Sequence, residues 1–157
     1  MQTGPFRVLV ADANGATRRE LSLHLEDAGY VVVPAARGSD VFLQCEFELP
    51  DVLVIDAKLD DMEGYDACRE LRDAPATSDV PIIITAEARD DMTFGYLAQM
   101  VDFVGGDFFL SKPYDIHVLV RLISNMLSVS RGVARLPQQG FPTRVVWPTS
   151  RLSPLVN

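Results

Sequence analysis

The sequence predicts an α/β domain: a parallel sheet with helices packed on both of its faces. Three observations point there. Short apolar runs alternate with helix-period patterns from residue 6 to residue 130, five of each, and such alternation implies βαβ crossovers. The central runs, 52–55 and 81–84, are apolar at nearly every position, as strands covered on both faces should be. Turn-forming or capping residues (Asn14, Gly29, Pro50, Gly64) separate the segments.

The elements follow in order. Residues 6–11 read as a first strand. A helix follows from about 16 to 28, with Leu21, Leu25 and Ala28 on one face, Asn14 as its cap and Gly29 as its stop. Val31-Val32-Val33 is a second strand, and Ser39 or Asp40 can cap a second helix running to about Glu48, ended by Pro50. The third strand is 52–55 and the third helix 64–72. The fourth strand is 81–85, the fourth helix falls between about 89 and 101, the fifth strand is 107–110, and a fifth helix spans 115 to about 130.

Composition bounds the rest. At 157 residues the chain holds one core with a little to spare, and 48% hydrophobic content excludes disorder throughout. No apolar run approaches the roughly 18 residues of a membrane span, and the amino terminus lacks the pattern of a signal peptide. Cys45 and Cys68 are too few for a disulfide framework or structural zinc and read as packing residues. The expectation is a cytoplasmic protein with no membrane contact. All 22 acids precede residue 131, where they meet 10 basic residues; residues 131–157 hold four arginines, four prolines and no acid. The expected division is a folded body over 1–130 and a Pro/Arg-containing tail over 131–157, whose order the composition leaves open. An acidic body repels phosphate backbones, so direct nucleic acid binding is not expected of it.

In a sheet of this kind the working site lies beyond the carboxyl ends of the strands, at the point where strand order reverses. Those ends carry Asp12, Asp56, Thr85 and Lys112-Pro113. Taken singly, each has a plainer explanation: a turn aspartate, a β-favouring threonine, a solvated lysine. Together they put two carboxylates, a hydroxyl and an ammonium at one end of the sheet. Such a group suits phosphoryl transfer onto a carboxylate. A hard divalent ion needs few protein oxygens, and an ammonium offsets charge on the moving phosphoryl group.

These residues resemble the receiver domain of two-component response regulators. Asp56-Ala57-Lys58-Leu59-Asp60-Asp61-Met62-Glu63-Gly64 resembles the family's loop after its phosphoacceptor, Thr85-Ala86 its signalling hydroxyl followed by a small residue, Phe109 its rotating aromatic, and Leu110-Ser111-Lys112-Pro113-Tyr114 its Lys-Pro segment with a cis proline. The resemblance covers 6–130. It implies a flavodoxin-like, five-stranded doubly wound sheet of order 2-1-3-4-5. It also implies a signalling domain rather than an enzyme, at most catalysing its own phosphotransfer and dephosphorylation. Asp56 would accept phosphate from a histidine kinase or phosphotransfer protein. Asp12, Asp56 and the Lys58 carbonyl would hold Mg²⁺, Thr85, Ala86 and Lys112 would line the phosphoryl site, and Phe109 would turn inward with Thr85. Helix four, strand five and helix five would be read by a downstream protein.

Three departures stand beside the matches. Ala13 occupies the place of a second acid after strand one, so Mg²⁺ should bind weakly. Asp60 stands where the family usually has proline, and Asp61 follows it; both read as solvated loop carboxylates, with partial replacement of the lost ligand as the alternative. The stretch between Thr85 and Lys112 is lengthened within 87–106. The fifth helix is apolar almost all round, which calls for a cover: the tail, through Val145-Val146-Trp147, or a second copy docked through helices four and five. Two readings of function result. One is a stand-alone phosphoacceptor switch; the other is a phosphorylation-independent pseudo-receiver acting as an interaction or dimerisation module.

Overall fold

In a computed structural model of the chain, which describes residues 4–87, 99, 103–130 and 145–146, the predicted alternation is present. The strands are β1 (Arg7–Ala11), β2 (Val31–Ala35), β3 (Val52–Asp56), β4 (Ile82–Glu87), β5 (Phe108–Lys112) and β6 (Val145–Val146). The helices are α1 (Gly15–Asp27), α2 (Gly38–Phe47), α3 (Gly64–Asp73) and α4 (Ile116–Ser130), the last being the fifth predicted from sequence. The helix predicted over 89–101 lies outside the described residues except for Gln99, which is helical, as are Phe103 and Val104. The tail boundary falls outside them too, apart from β6.

Every pairing is parallel, and the order is β2-β1-β3-β4-β5-β6. The predicted five-strand order holds, with a two-residue strand added beyond β5. Side chains alternate between sheet faces along each strand, and the core accordingly divides in two. Leu9, Leu53, Ile55, Ile82, Ile84 and Phe109 pack with Val41 and Cys45 of α2 and Ala67, Cys68 and Leu71 of α3. Val8, Val10, Val52, Val54, Ile83 and Leu110 pack with Leu21 and Leu25 of α1 and Leu119, Ile123 and Leu127 of α4. Each such side chain contributes roughly 1.5–3 kcal/mol by leaving water, which is why the register cannot slip.

Local signals behave as the residues dictate. Asn14 caps α1, its side chain accepting from the amides of Ala16 and Thr17 at 3.0 and 3.1 Å. Gly29 adopts φ 93°, a left-handed turn that glycine takes without strain. The cap foreseen for α2 is a correction. Arg37 is its N-cap and gives no side-chain hydrogen bond. The first amides, of Gly38 and Ser39, are bound by Asp61 from the loop after β3, at 2.7 and 3.1 Å. Asp61 is thus exposed, as a loop acid was expected to be, but both its carboxylate oxygens are engaged by the start of α2.

The apolar excess on α4 is largely half-buried: Ile116, Val118, Val120, Leu122 and Met126 lie between its buried row and the polar Arg121, Ser124, Asn125 and Ser128. An exposed apolar pair lies on α2, where Leu43 and Phe47 are 61% and 83% exposed. Both cysteines are free and buried, and burial pushes the Cys68 thiol up to about 12, as fits a packing residue. No helix among the described residues is long and apolar enough to cross a membrane.

Candidate phosphoacceptor site

The strand order reverses between β1 and β3, with β2 on one side and β4 on the other. The ends of these central strands therefore open onto one crevice. Asp12 follows β1 and Asp56 ends β3; both are buried, at 6% and 8% exposure. A buried carboxylate needs partners for its lone pairs, and each has them. Asp12 Oδ1 accepts from the Asn14 amide at 2.8 Å, and Asp56 Oδ1 accepts from the Lys58 amide at 2.8 Å. These bonds fold the chain back over each aspartate and aim the second oxygen of each into the crevice.

There the two second oxygens meet one cation. Lys112, at the end of β5, places Nζ 2.9 Å from Asp12 Oδ2 and 2.5 Å from Asp56 Oδ2. Burial alone would lower the lysine's pKa, but hydrogen bonds and charge attraction from Asp56 and Asp12 outweigh it and hold the ammonium above its ordinary value. Thr85, in register with Asp56 across β3–β4, donates its hydroxyl to Asp56 Oδ2 at 3.4 Å. Four stretches of chain far apart in sequence thus converge on one pair of carboxylates.

The remaining sequence-predicted residues fall around this centre. Ala86 is buried beside Thr85, so the following position is small and closed to solvent. Ala13 is half-buried and brings no oxygen. Phe109 is fully buried and packed in the core shared with Ile84 and Val104, so it holds the inward position in this structure. The Lys112–Pro113 peptide is cis. Gly64 has a steric reason to be glycine: a Cβ there would fall onto the Asp56 backbone carbonyl oxygen. The acid-Gly ending of the loop thus lets α3 start against the end of β3.

Asp12 and Asp56 each turn a carboxylate oxygen into the crevice, and the resemblance adds the Lys58 carbonyl as a third donor to a metal. Among the described residues no three His, Cys, Asp or Glu side chains gather as a metal site. Two carboxylates sharing one cation nevertheless suit a hard divalent ion that keeps several waters. The set fits Mg²⁺ with one protein ligand fewer than a site carrying an acid at position 13.

The structure also shows features, near the site and away from it, that the sequence did not announce. A cleft of about 390 Å³, lined by Thr17, Glu20, Glu87, Lys112 and Tyr114, opens beside the ammonium. Burial pushes the Tyr114 hydroxyl up to about 12. Arg72, at the end of α3, donates to the carbonyls of Gly105, Ser78 and Val80 at 2.6, 2.9 and 2.5 Å and pairs with Asp107 at 3.0 Å. Asp107 in turn accepts from the Ile82 amide, so one guanidinium fixes the starts of β4 and β5. His24 and His117 meet edge to face at 5.9 Å between α1 and α4. The Arg72–Asp107 and His24–His117 pairings have no local sequence signal, because each joins segments distant in the chain.

Comparison with known proteins agrees with this geometry. The sequence model of the response regulator receiver domain matches residues 8–124. Response regulator PleD of Caulobacter vibrioides is 32% identical over 135 residues, covering 85% of this chain and 28% of its own. The DNA-binding dual master transcriptional regulator RpaA of Synechocystis is 28% identical over 140 residues, covering 84% of this chain and 52% of its own. The chain thus spans about half the length, or less, of these curated relatives. Among solved structures, a protein of Chloroflexus aurantiacus assigned as a response regulator is 31% identical with a TM-score of 0.71, over 79% of this chain and 98% of that one. The receiver domain of the sensor histidine kinase PA1611 of Pseudomonas aeruginosa, solved with magnesium in its active-site cleft, shares the fold at 23% identity and a TM-score of 0.69, over 80% of this chain and 99% of that one. By the extent of the family match, and with the strand order it requires in place, this chain belongs to the response regulator receiver domain family, whose members serve two-component signalling.

Proposed function

We propose that the chain is a phosphoacceptor switch in which Asp56 takes a phosphoryl group from a phosphohistidine of a kinase or phosphotransfer partner. One observation carries this reading: Lys112 and Thr85 both reach the same oxygen, Asp56 Oδ2, while the Lys58 amide holds the other. One carboxylate oxygen is fixed, and the other is presented with an ammonium and a hydroxyl at hand. In the transfer, that oxygen forms the new O–P bond, the N–P bond to the donor imidazole breaks, and the imidazole leaves with the electron pair. Mg²⁺, held by Asp12, Asp56 and the Lys58 carbonyl, would supply charge neutralisation to the phosphoryl oxygens.

The chain's own residues do the rest. Lys112 is already paired with Asp56 and follows the negative charge onto the phosphoryl group. Thr85 exchanges its long 3.4 Å contact with the carboxylate for a bond to a phosphoryl oxygen. Since Thr85 pairs with Leu110 and its β4 neighbour Ile84 with Phe109, that movement is felt on β5 and by the aromatic packed there. The readout is the surface of the 89–101 segment, β5 and α4, and its partner is a protein, because an acidic body disfavours nucleic acid. The body that carries these parts is 1–130, and 131–157 is an appendage to it.

The test is an intact-mass measurement after incubation with a small phosphodonor and Mg²⁺. One phosphoryl group on the parent chain, absent from Asp56→Asn, is expected. An unmodified parent chain overturns the switch and leaves the phosphorylation-independent interaction module, the reading that Ala13 favours.

A further inference from the structure

The two edges of the sheet are protected differently. At one edge β2 carries Pro34, which cannot donate to an added strand. The first five strands end at β5, whose sequence Phe108-Phe109-Leu110-Ser111-Lys112 has no proline and a single charge. That charge, Lys112, is drawn into the phosphoacceptor crevice. An apolar strand without such guards is a template for pairing with another chain. In this structure the chain's own tail stands there: Val145 pairs with Phe109 and Val146 with Leu110, parallel to β5. The crossover is topologically ordinary, because α4 lies between β5 and β6 in sequence and parallel neighbours need such a connection.

The pairing is built to stay short. Pro142 and Pro148 flank the tail strand within a few residues on either side, and neither can extend a ladder of amide donors. A two-residue ladder sits at the low end of local stability, where opening needs no unfolding of the body. The other prolines of the tail, Pro137 and Pro154, lie further away and leave Val145-Val146-Trp147 as its most apolar run.

We propose that Val145–Val146 is a releasable strap in cis, and that the β5 edge beneath it is a strand-docking surface fitted to an apolar, extended segment running parallel to β5. Recognition is by main-chain hydrogen bonds along the edge, in register with Phe109 and Leu110. The occupant in the resting chain is its own tail, at the high effective concentration that tethering gives. A partner approaching this side of the domain must displace it. The consequence for signalling rests on the readout surface proposed above; the strap itself does not.

The test uses the full chain and a variant with Val145→Pro and Val146→Pro, which removes the amides the tail needs for pairing. Amide hydrogen exchange is measured at Phe108–Ser111, with β3 and β4 as internal controls. The variant should exchange about tenfold faster or more at the β5 amides that face the tail, with the controls unchanged. A labelled peptide of residues 141–150 should then bind the variant and be excluded from the parent at the same concentration. Equal β5 exchange in the two chains overturns the strap, as does peptide binding to both chains or to neither. None of these readouts involves a phosphoryl group, so failure of Asp56 to be phosphorylated leaves them unaffected.

Discussion

Replacing Lys112 by methionine isolates the electrostatic core of the site. The ammonium contacts Asp56 at 2.5 Å and Asp12 at 2.9 Å. At an effective dielectric of about 20, each contact is worth ~6 kcal/mol before desolvation is subtracted. The three side chains are 15%, 12% and 9% exposed, so desolvation takes most of that gain. Removing the cation does not return the cost, because the two carboxylates stay buried and now face each other. Breaking a buried pair in this way costs about 3–5 kcal/mol. The Asn14, Lys58 and Thr85 donors remain in place and the crevice opens to water, so Lys112→Met should lose about 2–4 kcal/mol in urea unfolding at pH 7 without added metal. The pH dependence has a definite sign. A lysine whose folded-state value is raised stabilises fully below its ordinary 10.5, and that contribution disappears as pH climbs through the raised value. The gap between parent and variant should therefore be constant from neutral pH up to about 10 and narrow above it. A loss under about 0.5 kcal/mol at pH 7, within the range of a surface pair, would refute the reasoning.

Other perturbations follow from the same geometry. Ala13→Asp restores a third acid and should raise Mg²⁺ affinity by roughly tenfold, or ~1.4 kcal/mol, in a metal titration; an unchanged affinity would show that position 13 does not face the metal. Asp61→Ala should lower the urea midpoint while Asp61→Asn largely keeps it, because the amides of Gly38 and Ser39 need an acceptor. Desolvation alone would raise the Asp61 carboxyl, but the hydrogen bonds it accepts, led by the Ser39 and Gly38 amides, together outweigh that and hold it below its ordinary 3.8. Its contribution is thus present above that pH and lost as pH falls through the lowered value, so Asp61→Ala should flatten the acid limb of the stability profile. Arg72→Ala strips four hydrogen-bond partners, with the guanidinium side chain 20% exposed, and should cost about 2–3 kcal/mol in the same assay.

What could be read in the sequence, and what could not, divides along physical lines. The runs Val52-Leu53-Val54-Ile55 and Ile82-Ile83-Ile84 declare buried parallel strands because both faces demand apolar side chains, and that pattern is local. Asn14 and Gly29 declare helix ends for the same reason: cap chemistry is decided within three residues. The four strand-end residues could be gathered in advance because sheet topology carries every strand's carboxyl end to one side. Asp61 capping α2 lay beyond that logic. It works 22 and 23 residues away from its targets, through a loop whose path is set by tertiary packing. Arg72 is similar, joining α3 to the starts of β4 and β5 across up to 35 residues. For the tail, composition singled out Val145-Val146-Trp147 as a cover for the last helix. The structure sets Val145–Val146 on the β5 edge, where unpaired backbone groups make a demand that composition does not show.

The account's central claim is that Asp12, Asp56, Thr85 and Lys112 form one anion pocket rather than four separate surface features. Backbone amide spectra of the isotope-labelled chain, recorded as beryllofluoride is added with Mg²⁺, test it most directly. Concerted shifts are expected at Ala57 and Lys58, at Thr85 and Ala86, and at Lys112, all titrating together and all absent from Asp56→Asn. Shifts confined to one of these strand ends, or unchanged by Asp56→Asn, would contradict it.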